Sequence, residues 1–163
     1  MKQALPALLA LTAALLMTTP VRAQEPVLAQ SDHAVLLASS DARLAANKRL
    51  VYDFWRELIE AGQLDRADRY LAEDYRQHNP LVPTGRAGFV NFFKAFSKPR
   101  TVAERVRTPL VAITAEGDLV TLVFRAEHPE PADASKRYTT TWFDMFRVVD
   151  GRIVEHWDPT LKQ

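Results

Sequence analysis

The sequence predicts an α+β fold in which helices come first and an antiparallel sheet follows. Apolar residues recur at helical spacing as far as Phe96, and from Arg105 onward β-favouring runs alternate with turn residues. The strongest local signal is Asp150-Gly151, set between the apolar-rich runs from Tyr138 to Val149 and from Arg152 to Trp157. An Asp-Gly pair in that setting is the signature of a two-residue β-hairpin.

Residues 1–23 read as a signal peptide. A basic start at Lys2 precedes an apolar run from Ala4 to Met17, too short to anchor in a bilayer, and Val21-Arg22-Ala23 supplies small residues before Gln24. The expectation is export to a periplasm or beyond, with no membrane anchor after cleavage. The chain has no cysteine, which excludes a lipid-anchored lipoprotein, a disulfide and thiol chemistry. Loss of Lys2 and Arg22 would leave 19 basic against 20 acidic side chains, a balance that offers nothing to nucleic acid.

The remaining 140 residues suit one domain with one core. Residues 24–40 lack a clean period and read as a mobile leader, and residues 41–163 as the domain. Asp41 caps a first helix carrying Leu44, Val51, Phe54, Trp55, Leu58 and Ile59, which ends at Gly62. Asp65 caps a short second helix, with Tyr70 and Leu71 turned inward. Pro80 and Pro83 keep the stretch from Tyr75 to Pro83 out of regular helix, with room for a short strand near Tyr75. Thr84 caps a third helix in which Phe89, Phe92, Phe93 and Phe96 form a core stripe. Strands from Arg105 to Ala115 and from Leu119 to Glu127 flank Glu116-Gly117-Asp118, and His128 to Lys136 reads as a loop.

Strict pairing about Asp150-Gly151 puts Val149 opposite Arg152, Val148 opposite Ile153, Phe146 opposite Glu155 and Asp144 opposite Trp157. One face then carries Tyr138, Trp142, Phe146, Val148, Ile153 and Trp157, with Asp144 and Glu155 set among them. His156 falls on the other face with Val154 and Arg147. Asp158 falls there too unless the strand twists or bulges near its end.

The order of elements, the segment YRQHNP from Tyr75 to Pro80 and the terminal FDMFRVVDGRIVEHWD resemble the nuclear transport factor 2-like superfamily, and within it the SnoaL-like polyketide cyclases. The resemblance spans about Leu44 to Asp158. It implies a cone-shaped, curved antiparallel sheet whose pocket is closed by three N-terminal helices. It also places the family's general base on Asp158 and its enolate-stabilising histidine on Asp144, where this chain has an acid instead.

The residues themselves point the same way. A carboxylate held against aromatic rings has its charged form disfavoured, so its pKa rises, and two acids close together are driven apart, one to donate and one to accept. Candidate catalytic groups are Asp158, Asp144 and His78. Asn79 is a candidate for orienting a carbonyl or hydroxyl, and Tyr75, Tyr52, Trp55, Trp142, Glu155 and Trp157 for binding substrate. The alternative roles are structural: Glu155 or Asp158 paired with Arg147, Arg125 or Arg137, and His78 and Asn79 holding their two-proline loop. No metal site is expected, because His156 and Asp158 are the one local pair of ligand types, and no glycine-rich phosphate loop is present. The expected ligand is a small, largely apolar carbonyl or hydroxyl compound, handled without a cofactor in an isomerisation, cyclisation or lyase step. The alternative is a non-catalytic binding or assembly module of the same fold. In either case Phe143, Met145, Val149 and Val154 offer a sheet face to a second copy, giving a homodimer.

Overall fold

The computed structural model describes residues 24–162; the expected signal peptide and Gln163 lie outside them. Four helices precede or interrupt a five-stranded sheet: α1 (His33–Leu37), α2 (Ala42–Phe54), α3 (Ala67–Tyr70), β1 (Leu71–Gln77), α4 (Arg86–Lys94), β2 (Leu110–Glu116), β3 (Leu119–Glu130), β4 (Asp133–Val149) and β5 (Arg152–Trp157). The strands lie in the order β1-β5-β4-β3-β2, in a curved sheet with the helices against it.

Residues 24–40, expected as a leader, are tied to the domain. Asp32 caps α1 by accepting from the Ala34 N–H, Leu37 is buried, and Gln30 N–H donates to the Leu110 carbonyl at 2.8 Å. Val27 N–H reaches the Thr139 hydroxyl at 2.7 Å, and His33 Nδ1 lies 2.8 Å from the Tyr52 hydroxyl.

Asp41 caps α2 as its sequence position requires, accepting from the Arg43 and Leu44 N–H groups. The helix then widens into a π-helical turn from Trp55 to Glu60, a device found often at functional sites. It stops at Gly62, whose φ of 66° suits glycine, and a Cβ there would come within 2.5 Å of Ser97 Oγ and 2.8 Å of the Lys98 carbonyl. The core lies between these helices and one sheet face: Val51, Phe54, Leu58, Leu71, Phe89, Leu110, Leu122, Phe124, Phe146 and Ile153 are all buried. Each side chain of this size contributes roughly 1.5–3 kcal/mol when removed from water.

Four expectations change in detail. The sheet is not wholly antiparallel, because β1 runs parallel to β5; the long crossover between them through α4 and β2–β4 permits this. Strand β2 starts at Leu110, after Pro109, not at Arg105. The stretch from His128 to Lys136 is not a loop but the end of the β3–β4 hairpin, with His128 opposite Tyr138 and Pro129 opposite Arg137. Pro129 is tolerated because β2 does not reach that far along β3, so its missing N–H faces no neighbour. Helix α4 is capped at Gly85 (φ 85°), while the Thr84 hydroxyl accepts from Gln77 N–H, and the helix ends before Phe96, which is 63% exposed.

The turn forms at Asp150-Gly151, both residues with positive φ. Val149 faces Arg152 and Val148 faces Ile153, as strict alternation requires. Beyond them the register shifts. Arg147 faces Glu155, Phe146 faces His156 and Met145 faces Trp157, so Val154 is the extra residue of a β-bulge. The expected pairs Phe146 with Glu155 and Asp144 with Trp157 are therefore replaced.

Candidate functional site

The bulge at Val154 decides what the concave face carries. One residue of slip inverts every later side chain, so Glu155 and Trp157 turn outward while His156 and Asp158 turn toward Asp144. The bend expected near the strand end thus lies earlier, at Val154.

The inward face borders a cavity of about 290 Å³. Phe54, Trp55 and Ile59 enter from α2 and its π turn, Phe89 and Phe93 from α4, and Val82 from the two-proline loop. The sheet contributes Trp142, Asp144, Phe146 and His156, with Asp158 just beyond β5, while Tyr75 and Gln77 reach in from β1 and Asn79 from the loop after it. The walls are aromatic, with Trp55 and Trp142 ring centres 5.7 Å apart and Phe146 4.7 Å from the His156 ring. Among the described residues no Lys or Arg lines this cavity. A larger cleft of about 480 Å³ lies elsewhere, between residues 29–33 and 103–110, and holds none of these acids.

The polar groups form one chain. His156 Nε2 lies 2.8 Å from Asp144 Oδ1, and His156 Nδ1 lies 2.7 Å from Gln77 Oε1. Gln77 Nε2 donates to the Tyr75 hydroxyl at 3.1 Å. Asn79 Nδ2 donates to Asp158 Oδ2 at 2.7 Å, and Thr160 N–H to Asp158 Oδ1 at 2.8 Å. Trp55 Nε1 and Asp144 Oδ2 are buried with no hydrogen-bond partner among the described residues, and both residues line the cavity. Unpaired polar atoms in such a place are uncommon and mark where a ligand can complete the bonding.

The environments push the two acids in opposite directions. Burial raises the Asp144 pKa, against the hydrogen bond and charge of His156, and the nearby Asp158 adds to the rise. Burial also works to raise Asp158, but the backbone N–H and side chain of Thr160, with Asn79 and His156, hold it below the usual carboxylate range. Tyr75 is raised first by burial and then by the charges of Asp144 and Asp158, so its hydroxyl stays protonated near neutral pH.

Asp144, His156 and Asp158 place atoms of metal-ligating type within 4.8 Å of one another. Asp144 Oδ1, both His156 nitrogens and Asp158 Oδ2 are engaged by one another, by Gln77 and by Asn79, which leaves Asp144 Oδ2 free among the described residues, and a cation on His156 Nε2 would have to displace the proton that joins it to Asp144. We therefore read the cluster as one that holds a proton.

Six residues singled out from the sequence meet at this cavity: Trp55, Tyr75, Asn79, Trp142, Asp144 and Asp158. Four do not line it. Glu155 binds His78 Nε2 at 2.9 Å, Arg76 at 2.8 Å and Arg147 at 3.1 Å on the other sheet face. His78 stacks on Trp157 at 5.2 Å with the rings 5° from parallel, and Arg147 lies over the same indole. Tyr52 is buried between His33 and the Val106 N–H. Asn79 spends its amide on Asp158 and Thr160 and its carbonyl on Leu81 N–H, which makes it a support for Asp158. His156, which alternation assigns to the outer face, and Gln77 are the groups that sequence reasoning missed. The available signal was energetic: strict alternation buries Glu155 beside Phe146, and a one-residue bulge exchanges it for a histidine.

Residues 51–156 match the family model of the SnoaL-like domain, and the chain belongs to that family. Solved structures of the same fold include a SnoaL-like polyketide cyclase, so named, from Jannaschia sp. CCS1, 16% identical over 75% of this chain and 91% of that one, with a TM-score of 0.50. A protein from Acidithiobacillus ferrooxidans named as a polyketide cyclase is 22% identical over 74% of this chain and 89% of that one, with a TM-score of 0.49. An LEH-like epoxide hydrolase from M. tuberculosis is 19% identical over 71% and 83%, also with a TM-score of 0.49. No curated protein matches the chain.

Proposed function

We propose that this SnoaL-like protein binds a small, neutral, largely apolar carbonyl compound and moves a proton on the carbon beside the carbonyl, an isomerase, cyclase or lyase step that uses its own side chains. The observation that carries this reading is the pair of acids in one aromatic cavity, Asp158 held ionised and Asp144 joined to His156 by a 2.8 Å hydrogen bond. The absence of Lys and Arg from the described lining disfavours an anionic ligand, because nothing there would pair its charge beside Asp144 and Asp158.

In this reading Asp158 takes the proton from the carbon, and the C–H electron pair moves onto the carbonyl oxygen. The Tyr75 O–H stabilises that enolate oxygen, and the proton held by Asp144 and His156 in the same cavity is the one that can be passed to it. Return of the proton at a different carbon gives isomerisation; attack of the enolate carbon on a second carbonyl gives ring closure. Such general acid–base assistance is worth roughly 10²–10⁴-fold. The steps call on no cofactor.

The test is exchange of the α-protons of 2-tetralone, a neutral aromatic ketone, in deuterated buffer, followed by proton NMR. The mature protein should accelerate exchange, and Asp158→Asn should lose about 10²-fold or more of that rate. Exchange at the buffer rate would leave the cavity as a binding module without turnover. We also propose that residues 1–23 direct export to the periplasm or beyond, and that the outer sheet face, where Phe143 is 46% and Val149 42% exposed, pairs with a second copy.

A further inference from the structure

Gln77 is the last residue of β1 and lies beside His156 in the parallel pairing of β1 with β5. Its carboxamide touches all three polar elements of the cavity. Oε1 accepts from Asn79 N–H at 2.9 Å and lies 2.7 Å from His156 Nδ1; Nε2 lies 3.1 Å from the Tyr75 hydroxyl.

A backbone N–H can only donate, so the end of the amide that meets Asn79 must be the oxygen. That settles the next atom. His156 Nδ1 faces the same oxygen and must carry a hydrogen. With Nδ1 so occupied, the 2.8 Å contact between His156 Nε2 and Asp144 Oδ1 holds one proton whichever partner owns it: a carboxylic acid on an imidazole, or a carboxylate on an imidazolium. At the other end, the Gln77 NH₂ donates to the Tyr75 oxygen, so the phenol hydrogen points elsewhere. No acceptor for it is found among the described residues.

We infer that Gln77 is the positioning residue of this site: it fixes the His156 tautomer, and with it the single proton shared with Asp144, and it makes Tyr75 a donor, so that the cavity selects ligands bearing a hydrogen-bond-accepting oxygen. The word "site" here rests on the proposed proton-transfer chemistry, whereas the proton count stands on the hydrogen bonds alone. The groups that face Asp144 and His156 are Asp158 beyond β5, Tyr75 and Gln77 on β1 and the Phe146 ring. Arg76, Arg147, Glu155 and His78 meet one another on the opposite face.

The experiment is nitrogen-15 NMR of the histidines in the mature protein, comparing wild type, Gln77→Leu and the nearly isosteric Gln77→Glu, with backbone amide spectra to verify folding. In wild type the His156 Nδ1 proton should persist on both sides of the pair's titration. Gln77→Glu should raise the midpoint of that titration by about one pH unit or more, because a carboxylate favours the imidazolium. Gln77→Leu should lower the midpoint and free the Nδ1 proton to exchange. Movements of opposite sign are not the result of a merely structural residue. If Gln77→Leu fails to fold, the shift in Gln77→Glu still decides. Unchanged midpoints and an unchanged Nδ1 signal in the folded variants would overturn the inference. Wild-type protein that shows the fixed Nδ1 proton but leaves 2-tetralone exchange at the buffer rate would instead sink the proposed reaction and leave the role of Gln77 standing.

Discussion

Asp144 on β4 and His156 on β5 meet at 2.8 Å across the concave face because Val154 between Ile153 and Glu155 has no cross-strand partner. Without that bulge, Glu155 would lie beside Phe146 in the core and His156 would lie outside. The bulge thus separates two clusters of opposite character on the two faces of β5. Inside are Asp144, His156 and Asp158 among aromatic rings; outside, Glu155 is ringed by His78, Arg76 and Arg147.

Deleting Val154 is the corresponding test. It removes the unpaired residue and leaves Glu155 opposite Arg147 and His156 opposite Phe146, now by plain alternation. We expect His156 to keep its contact with Asp144 and urea unfolding to stay within about 1 kcal/mol of wild type. A loss of about 3 kcal/mol or more, the scale of leaving a buried charge unpaired, would contradict the assignment of Val154 as the extra residue.

Asp144 gives a pH dependence of definite sign. Its pKa is raised in the folded state, so its contribution to stability is fully present below the unfolded value near 3.9 and is lost as pH rises through the folded value. Asp144→Asn removes that loss. Thermal unfolding from pH 4 to pH 8, about the range that matters for a raised carboxylate, should show the variant gaining on wild type as pH rises. A difference that is flat, or falls with pH, would contradict the shift.

Tyr75→Phe removes the phenol hydroxyl and little else, since the ring is buried against Phe89. Stability should fall by about 1 kcal/mol, the value of the hydrogen bond from Gln77. The exchange of 2-tetralone should fall by roughly 10²-fold, as for loss of an oxyanion donor. Exchange that survives intact would remove Tyr75 from the proposed mechanism.

Export makes its own prediction. Expression in a Gram-negative host should give protein in the periplasmic fraction whose N-terminal sequence starts at Gln24. Cytoplasmic protein that still carries residues 1–23 would contradict it.

Local signals made most of the fold legible. Asp41 at the start of α2, Gly62 at the end of the π turn and Asp150-Gly151 between β4 and β5 each state a backbone geometry in one or two residues, and the structure uses each as written. The parallel pairing of β1 with β5 was not legible, because no local pattern reveals which distant strand a short edge strand joins. Nor was the register past Ile153. Alternation of side chains holds only while every residue has a partner, and nothing local distinguishes Val154 from its neighbours as the one without. The concentration of acids in the last strands was visible, and so were Trp55, Tyr75 and Trp142 as wall residues. Gln77 carried no signal by residue type; its importance comes from lying beside His156 across strands 79 residues apart.

The most direct measurement of the central claim is a carbon-13 NMR titration of the Asp144 and Asp158 carboxyl groups in the mature protein, assigned with Asp144→Asn and Asp158→Asn. Asp158 should ionise below the ordinary aspartate value and Asp144 above it. Two carboxyls that both titrate at about 3.9 would contradict it.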